Sequence, residues 1–447
     1  WEVKRVYQYV DFELLNAGTG SLLIRNNYDF IDLSEFELHW EIMADGQAVQ
    51  SGVVRDLEVA AESEATVKLQ YKTRGLEKGP EHHLNLRLVG PKPRGLLSAN
   101  HEYAAAQFEI QSMVGSVAPA RRPLVRPTAV RDQEGIRVSG DEISVLFDAE
   151  NGLLSSFKWH DQELFLAPLM PNLWRAPTDN DFGNYMQEWA AVWEQAGRNR
   201  SLLSLDVSDE DPDYIDVVAE YAFANDDGEE VARWKSSFRF DIYGYVHVDN
   251  EFTRNEGLPK IPRVGMNVEL IRDLDKVEWY GRGPFENYSD RKLAANVGRY
   301  ANTVADHYVP YMRPQENGYK TDTRWLSLSD GANVGLLVIA RDLISFSVHH
   351  NRLDDFVPPV KIAITSEDGP GARDNEERVN VHVSDVVPRD IISLNIDFGQ
   401  MGVGGDDSWG KHTLSKYSLT DTSYRYSFSL LPYMPDAGRL DSLVERK

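Results

Sequence analysis

The stretch Leu38-His-Trp-Glu-Ile-Met-Ala-Asp-Gly46 sets the architecture of this chain. Leu38, Trp40 and Ile42 alternate with polar neighbours, and a period of two puts them on one face of a β-strand. Asp45-Gly46 then supplies the dipeptide of a tight hairpin, because both residues tolerate positive φ. The alternation recurs downstream in Val67, Leu69 and Tyr71, in Leu84, Leu86 and Leu88, and in Ala106, Phe108 and Ile110. Short strands at this spacing predict an immunoglobulin-like β-sandwich over residues 1–115. Residues 117–127 break the pattern with prolines at 119, 123 and 127 and three arginines, and predict a stiff linker over 116–130.

Alternation resumes at Ile143, Val145 and Phe147, with a turn at Asn151-Gly152, and continues through 234–240, 245–253, 335–340, 344–348, 392–398 and 424–430. Strand without βαβ alternation over 131–447 predicts one large antiparallel sandwich, not an α/β barrel, and an all-β chain. One segment differs. Tyr185, Trp189, Val192, Trp193 and Ala196 recur at helical spacing, with Gly197 placed to cap the helix end.

At 447 residues the chain exceeds one hydrophobic core, so two or three domains are expected. The net charge of −24 disfavours nucleic acid and anionic membrane surfaces as partners. No apolar run is long enough for a transmembrane helix and no signal peptide is visible. There is no cysteine, which excludes disulfides, thiolate metal sites and a Cys nucleophile and fits cytoplasm and periplasm alike. The start at Trp1, in mid-pattern, reads as a piece of something larger.

Four segments can carry chemistry. Met401-Gly-Val-Gly-Gly-Asp-Asp-Ser-Trp409 combines glycines that permit positive φ (Gly405 among them), the turn-bracing Asp406, Asp407 and Ser408, and an indole able to stack on the C–H face of a sugar. The alternative is a tight loop capped by a core tryptophan. Trp174-Arg-Ala-Pro-Thr-Asp-Asn-Asp-Phe-Gly183 is a polar loop in which Asp181 can cap the following helix. It reads either as a loop braced by its own carboxylates or as the mouth of a ligand site. In Trp279-Tyr-Gly-Arg-Gly-Pro-Phe-Glu-Asn-Tyr-Ser-Asp-Arg291, Gly281 and Gly283 permit a close turn, while Arg282, Glu286, Asp290 and Arg291 can pair in a buried network. The fourth is Tyr308-Val-Pro-Tyr-Met-Arg-Pro-Gln-Glu-Asn-Gly318. Asp406 and Asp407 do not make a calcium shell of about six to eight oxygens, and the histidines lack an HExxH spacing. His349-His350 reads as a surface pair at a strand end.

In chain order the four segments resemble those of the lac-type β-galactosidases of glycoside hydrolase family 2, strongly from about residue 130 onward and more weakly over the first sandwich. The resemblance implies the family's fourth, Ig-like domain followed by its small-chain domain, a galactose-mutarotase-like supersandwich. It implies that Trp409 walls the substrate pocket and that Arg175, Asp179, Asn180, Asp181, Gly183, Gly405, Asp406, Asp407 and Ser408 belong to pocket-shaping loops. Residues from Phe182 to about Gln187 are expected to be mobile, with Gly183 as hinge.

The family's retaining chemistry needs two carboxyl groups about 5–5.5 Å apart, provided by glutamates on a barrel that this chain does not encode. No catalytic residue and no metal is therefore expected here; the magnesium and sodium implied for the parent enzyme lie on that barrel. Glu286 and Glu316 are assigned structural roles. The expected partners are a β-galactoside such as lactose, the N-terminal and barrel domains of the same protein, and further copies in a homo-oligomer. A free-standing carbohydrate-binding or scaffold module, and an aldose-epimerase-like enzyme needing a Glu base and a His acid on one sugar face, are the other readings.

Overall fold

The computed structural model describes residues 1–72, 80–111, 123–357, 380–407, 409–435 and 440–444. They fall into two compact units. The first contains residues 1–111, together with residues 292–299. Two antiparallel sheets form it. One runs Val10–Asn16, Ser21–Asn26, Ser63–Lys68; the other runs Gln47–Val54, Glu37–Ala44, His82–Gly90, His101–Gln111. The predicted alternation is the packing: Leu22, Ile24, Leu38, Trp40, Ile42, Leu84, Leu86 and Leu88 are all buried in one cluster. Asp45 and Gly46 take φ of 44° and 80°, and the register closes on Ala44 opposite Gln47, as a two-residue hairpin requires. Residues 292–299 carry no signal that assigns them here. Gln107 holds them by donating from its amide to the Val297 carbonyl at 2.8 Å and accepting the Val297 N–H at 2.7 Å.

Of the expected linker, residues 116–122 lie outside the described residues; 123–127 have no regular structure, and Thr128–Arg131 is already a strand of the second unit. That unit is one antiparallel system from Thr128–Arg131 to Ser423–Tyr433, closed on itself by cross-pairings such as Val246–Arg254 with Ser423–Tyr433 and Arg263–Leu270 with Ile392–Gln400. Asn151-Gly152 turns between Ile143–Asp148 and Leu154–Trp159, with Gly152 at φ 68°. Trp193, Trp234, Trp279, Phe147, Phe157 and Phe252 are large side chains of its core. All-β architecture, a small sandwich ahead of a large antiparallel supersandwich, is what the chain adopts.

Two findings depart from the sequence reading. Arg263–Leu270 and Lys320–Ser329 are strands without visible alternation, because both their faces are buried. The single helix is instead three short ones, Asp179–Gly183, Met186–Trp189 and Ala191–Arg198. Tyr185, in the left-handed region at φ 62°, breaks the first from the second. Gly197 lies inside the last helix, whose C-cap is Asn199.

Candidate functional site

The site is built around one buried guanidinium. Arg175 is fully buried, and an unpaired charge there would be very costly, so its surroundings are polar by necessity. Its Nε and Nη2 donate to the two carboxylate oxygens of Asp181 at 3.1 and 2.9 Å. Nη1 donates to Gln400 Oε1 and the Met401 carbonyl, and Nη2 reaches the Gly402 carbonyl at 3.0 Å. One side chain therefore fastens the start of the 401–409 loop to the 174–183 loop. Asp181 is not the helix cap itself. Thr178 is the N-cap and Asp181 completes a capping box from the third helical position, its carboxylate accepting the Thr178 N–H at 3.0 Å as well as the Arg175 guanidinium.

The other acids are equally committed. Asp290 accepts the N–H groups of Val403 and Gly404 at 3.1 and 2.8 Å, so it braces the glycine-rich loop instead of joining the arginines of its own motif. Arg282 pairs with Asp322, and Glu286 with Arg291, the Tyr311 hydroxyl and the Gly318 N–H. Glu316 receives Arg263 on both oxygens at 3.3 Å and the Gln400 amide at 3.1 Å. Glu286 and Glu316, expected to be structural, are thus both held by neighbouring side chains, Glu286 also by the Gly318 backbone.

Gly183, Gly281, Gly283, Gly402 and Gly405 work by close approach, not by positive φ. Gly281 and Gly283 lie within the strand Lys276–Gly283, and a Cβ on Gly283 would come 2.9 Å from the Trp279 ring. A Cβ on Gly402 would meet Asp290 at 2.4 Å, and one on Gly405 the Lys411 carbonyl at 2.2 Å. Gly183 is no open hinge. A Cβ there would sit 2.9 Å from the Trp409 backbone, and Gly410, at φ +112°, faces it from the other side. Phe182 and Met186 are buried, so the segment expected to be mobile is anchored at these two positions, with the exposed Tyr185 between them.

Trp409 is 83% exposed, which excludes the core-cap alternative. Asp407 holds its approach by accepting the N–H groups of Trp409 and Lys411 at 2.9 and 3.1 Å. Asp406 and Gly405 are exposed beside it, and Ser408 lies outside the described residues.

All four segments meet at one cleft of about 190 Å³. The 174–183 loop contributes Thr178, Asp179 and Asn180, and the 279–291 segment contributes Tyr288 and Arg291. Tyr311, Gln315 and Glu316 come from the fourth segment, and Val403 closes the wall. Asp179 is clamped by Arg313 at 3.0 Å and by the Gln315 amide, and Asn180 donates to the Val403 carbonyl at 3.3 Å. Sequence alternation missed Tyr288, Tyr311 and Gln315 as fellow lining residues of Asp179, because loops remote in sequence bring them together.

His349 and His350 are buried, not a surface pair. His349 Nε2 donates to the Asn317 carbonyl at 3.0 Å, and burial pushes its pKa down to about 4. The folded chain then keeps His349 neutral where the unfolded chain takes up a proton. This group's contribution to stability is thus present above about pH 6.5 and lost as pH falls toward 4. His349→Gln, which keeps a donor for Asn317, is expected to flatten the fall in urea midpoint between pH 6.5 and 4. Parallel pH profiles for both proteins would refute the assignment. Among the described residues no group of three or more His, Asp or Glu is placed to hold a metal ion.

Comparison with known proteins follows the same division. Residues 139–430 match the family "Beta galactosidase small chain" and residues 22–111 match "Beta-galactosidase, domain 4". A β-galactosidase of Priestia megaterium is 28% identical over 435 residues, covering 96% of this chain and 39% of the relative. One from Vibrio cholerae is 30% identical over 448 residues, with 96% and 39% covered. The chain thus spans about two fifths of the length of these relatives. Among solved structures, a galactose 1-epimerase of Lactobacillus acidophilus is similar with a TM-score of 0.35 and 8% identity, covering 69% of this chain and 98% of the epimerase. With the small-chain match spanning most of its length and the domain 4 match ahead of it, this chain belongs to the β-galactosidase small-chain family.

Proposed function

We propose that the chain is the C-terminal part of a retaining β-galactosidase that hydrolyses terminal β-D-galactosides such as lactose, and that it contributes binding and positioning. The observation that carries this reading is Trp409, an exposed indole on a loop pinned by Arg175, Asp290 and Asp407. A rigid aromatic face with little rotamer entropy to lose suits stacking on the aglycone sugar. Binding energy gathered away from the reacting bond helps orient it, which is how a domain without proton-transfer groups raises a rate. The remaining domains of the same protein, and further copies of it, are the partners this reading requires.

The acid and nucleophile come from elsewhere in this scheme, because Glu286 and Glu316 are tied to arginines and backbone. An epimerase needs a histidine beside a carboxylate at the sugar, and no histidine lines the cleft among the described residues. The 447-residue chain alone is expected to leave a chromogenic β-galactoside unhydrolysed. Turnover that survives repurification and disappears in Glu286→Gln or Glu316→Gln would sink that expectation. A carbohydrate-binding module with no catalytic partner is the second reading, favoured by the same exposed indole. A full-length protein carrying this chain that binds lactose without cleaving it would decide for the module.

A further inference from the structure

Behind the cleft wall, three buried ionisable side chains do not balance. Arg263, Glu316 and Asp397 are all buried, Asp397 completely. Arg263 Nη2 reaches both Glu316 oxygens at 3.3 Å, and its Nε lies 3.2 Å from Asp397 Oδ2. One guanidinium thus faces two carboxyl groups. The other groups around them add no cation. Burial raises the Tyr288, Tyr319 and Tyr426 phenols well above the ordinary tyrosine value, and it keeps His349, close to Arg263, neutral. Across the sheet Asp397 is flanked by Gly265 and Ser345. Fully ionised, the cluster would hold an uncompensated negative charge away from water, which is costly. The less costly state keeps one proton.

Geometry decides which carboxyl takes it. Glu316 has Arg263 on both oxygens, accepts the Gln400 amide at 3.1 Å and borders the cleft. Neither oxygen of Asp397 has a hydrogen-bond partner among the described residues, and a Cβ on Gly265 would come 1.8 Å from Oδ1. Burial pushes the Asp397 carboxyl up to about 7 against the pull of Arg263, and Glu316 adds to the rise. The cluster also reaches the glycine-rich loop. Gln400 Oε1 accepts from Arg175 Nη1 at 3.2 Å, so hydrogen bonds run from Arg263 through Glu316 and Gln400 to the guanidinium that holds Met401 and Gly402.

We propose that Asp397 and Arg263 form a proton-operated latch on this loop. With Asp397 protonated, Arg263 belongs to Glu316 and the 401–404 turn is held. Once ionised, Asp397 competes for Arg263, and the turn loosens. The latch stands on the buried cluster and does not depend on what the loop binds.

Urea titrations of the 447-residue chain and of Asp397→Asn, an uncharged near-isostere, from pH 4.5 to 8.5 test it. The folded chain holds a proton that the unfolded chain releases above the ordinary aspartate value of 3.8. This contribution to stability is therefore complete below pH 3.8 and lost as pH rises through about 7. Relative to the variant, the wild-type unfolding constant is expected to rise about tenfold per pH unit between pH 4.5 and 6.5, and to run parallel above pH 8. Hydrogen exchange reads the latch itself. Amide protection in 401–404, corrected for the intrinsic rate, should fall above pH 7 in the wild type and stay constant in Asp397→Asn. Stabilities that run parallel from pH 4.5 to 8.5 would mean that Asp397 is ionised throughout, and would overturn the proposal. So would protection in 401–404 that ignores pH, since the proton would then not reach the loop. Should Asp397→Asn fail to fold, Glu316→Gln decides. It leaves Arg263 to Asp397 alone, so the fall in stability should level off at lower pH than in the wild type; levelling at the same pH would refute the shared guanidinium.

Discussion

Replacing Arg175 by methionine is expected to destabilise the larger unit by about 3–5 kcal/mol, the cost of removing one member of a buried ion pair. The reason is not the lost attraction alone. Asp181 is 3% exposed, and without the guanidinium its carboxylate keeps only the Thr178 N–H as a partner. The carbonyls of Met401 and Gly402 lose their donor at the same time. A urea titration reads the effect as a lowered midpoint of that unit's transition with little change of slope. Amide exchange should quicken together in 178–183 and 401–404, since one side chain anchors both. Arg175→Lys is expected to recover part of the loss, because an ammonium keeps the charge but not the two-pronged contact with Asp181. A midpoint shift worth less than about 1 kcal/mol in Arg175→Met would mean the loops are held by other contacts.

In the full-length protein that carries this chain, Trp409→Ala is expected to weaken lactose binding by about 1–2 kcal/mol, roughly a five- to thirtyfold rise in KM. An indole with 83% of its surface exposed has little fold stability to lose, so the urea midpoint should move by less than about 0.5 kcal/mol. A tryptophan in the core would behave oppositely, at about 3–5 kcal/mol of stability. If kcat falls along with kcat/KM while KM stays constant, the stacking is felt in the transition state and not in the ground state. Unchanged kinetics with a lowered midpoint would make Trp409 structural and remove the main support for the pocket-wall role.

Much of the fold is legible in short stretches of sequence. The alternation at Leu38, Trp40 and Ile42 and the Asp45-Gly46 turn are short-range patterns, and they survive folding because a half-buried strand must place every second residue inward. The four segments are legible likewise, because a motif is a local string. Strands such as Arg263–Leu270 are not, since burial on both faces erases the period that alternation reports.

The use of each motif residue belongs to the tertiary structure. Asp290 looks in sequence like a partner for the arginines around it and instead braces Val403 and Gly404, more than a hundred positions away in the chain. Arg175 and Gln400 meet across a sequence separation of 225, and His349 and His350 turn inward although their place in the sequence suggests a surface. Gly183 and Gly410 are glycines because two backbones touch there, a requirement no single segment displays. Local pattern determines which elements form, because propensity and periodicity act over a few residues. The pairing of buried charges is decided only when distant strands close, because each ion must find its counterion within the shared interior.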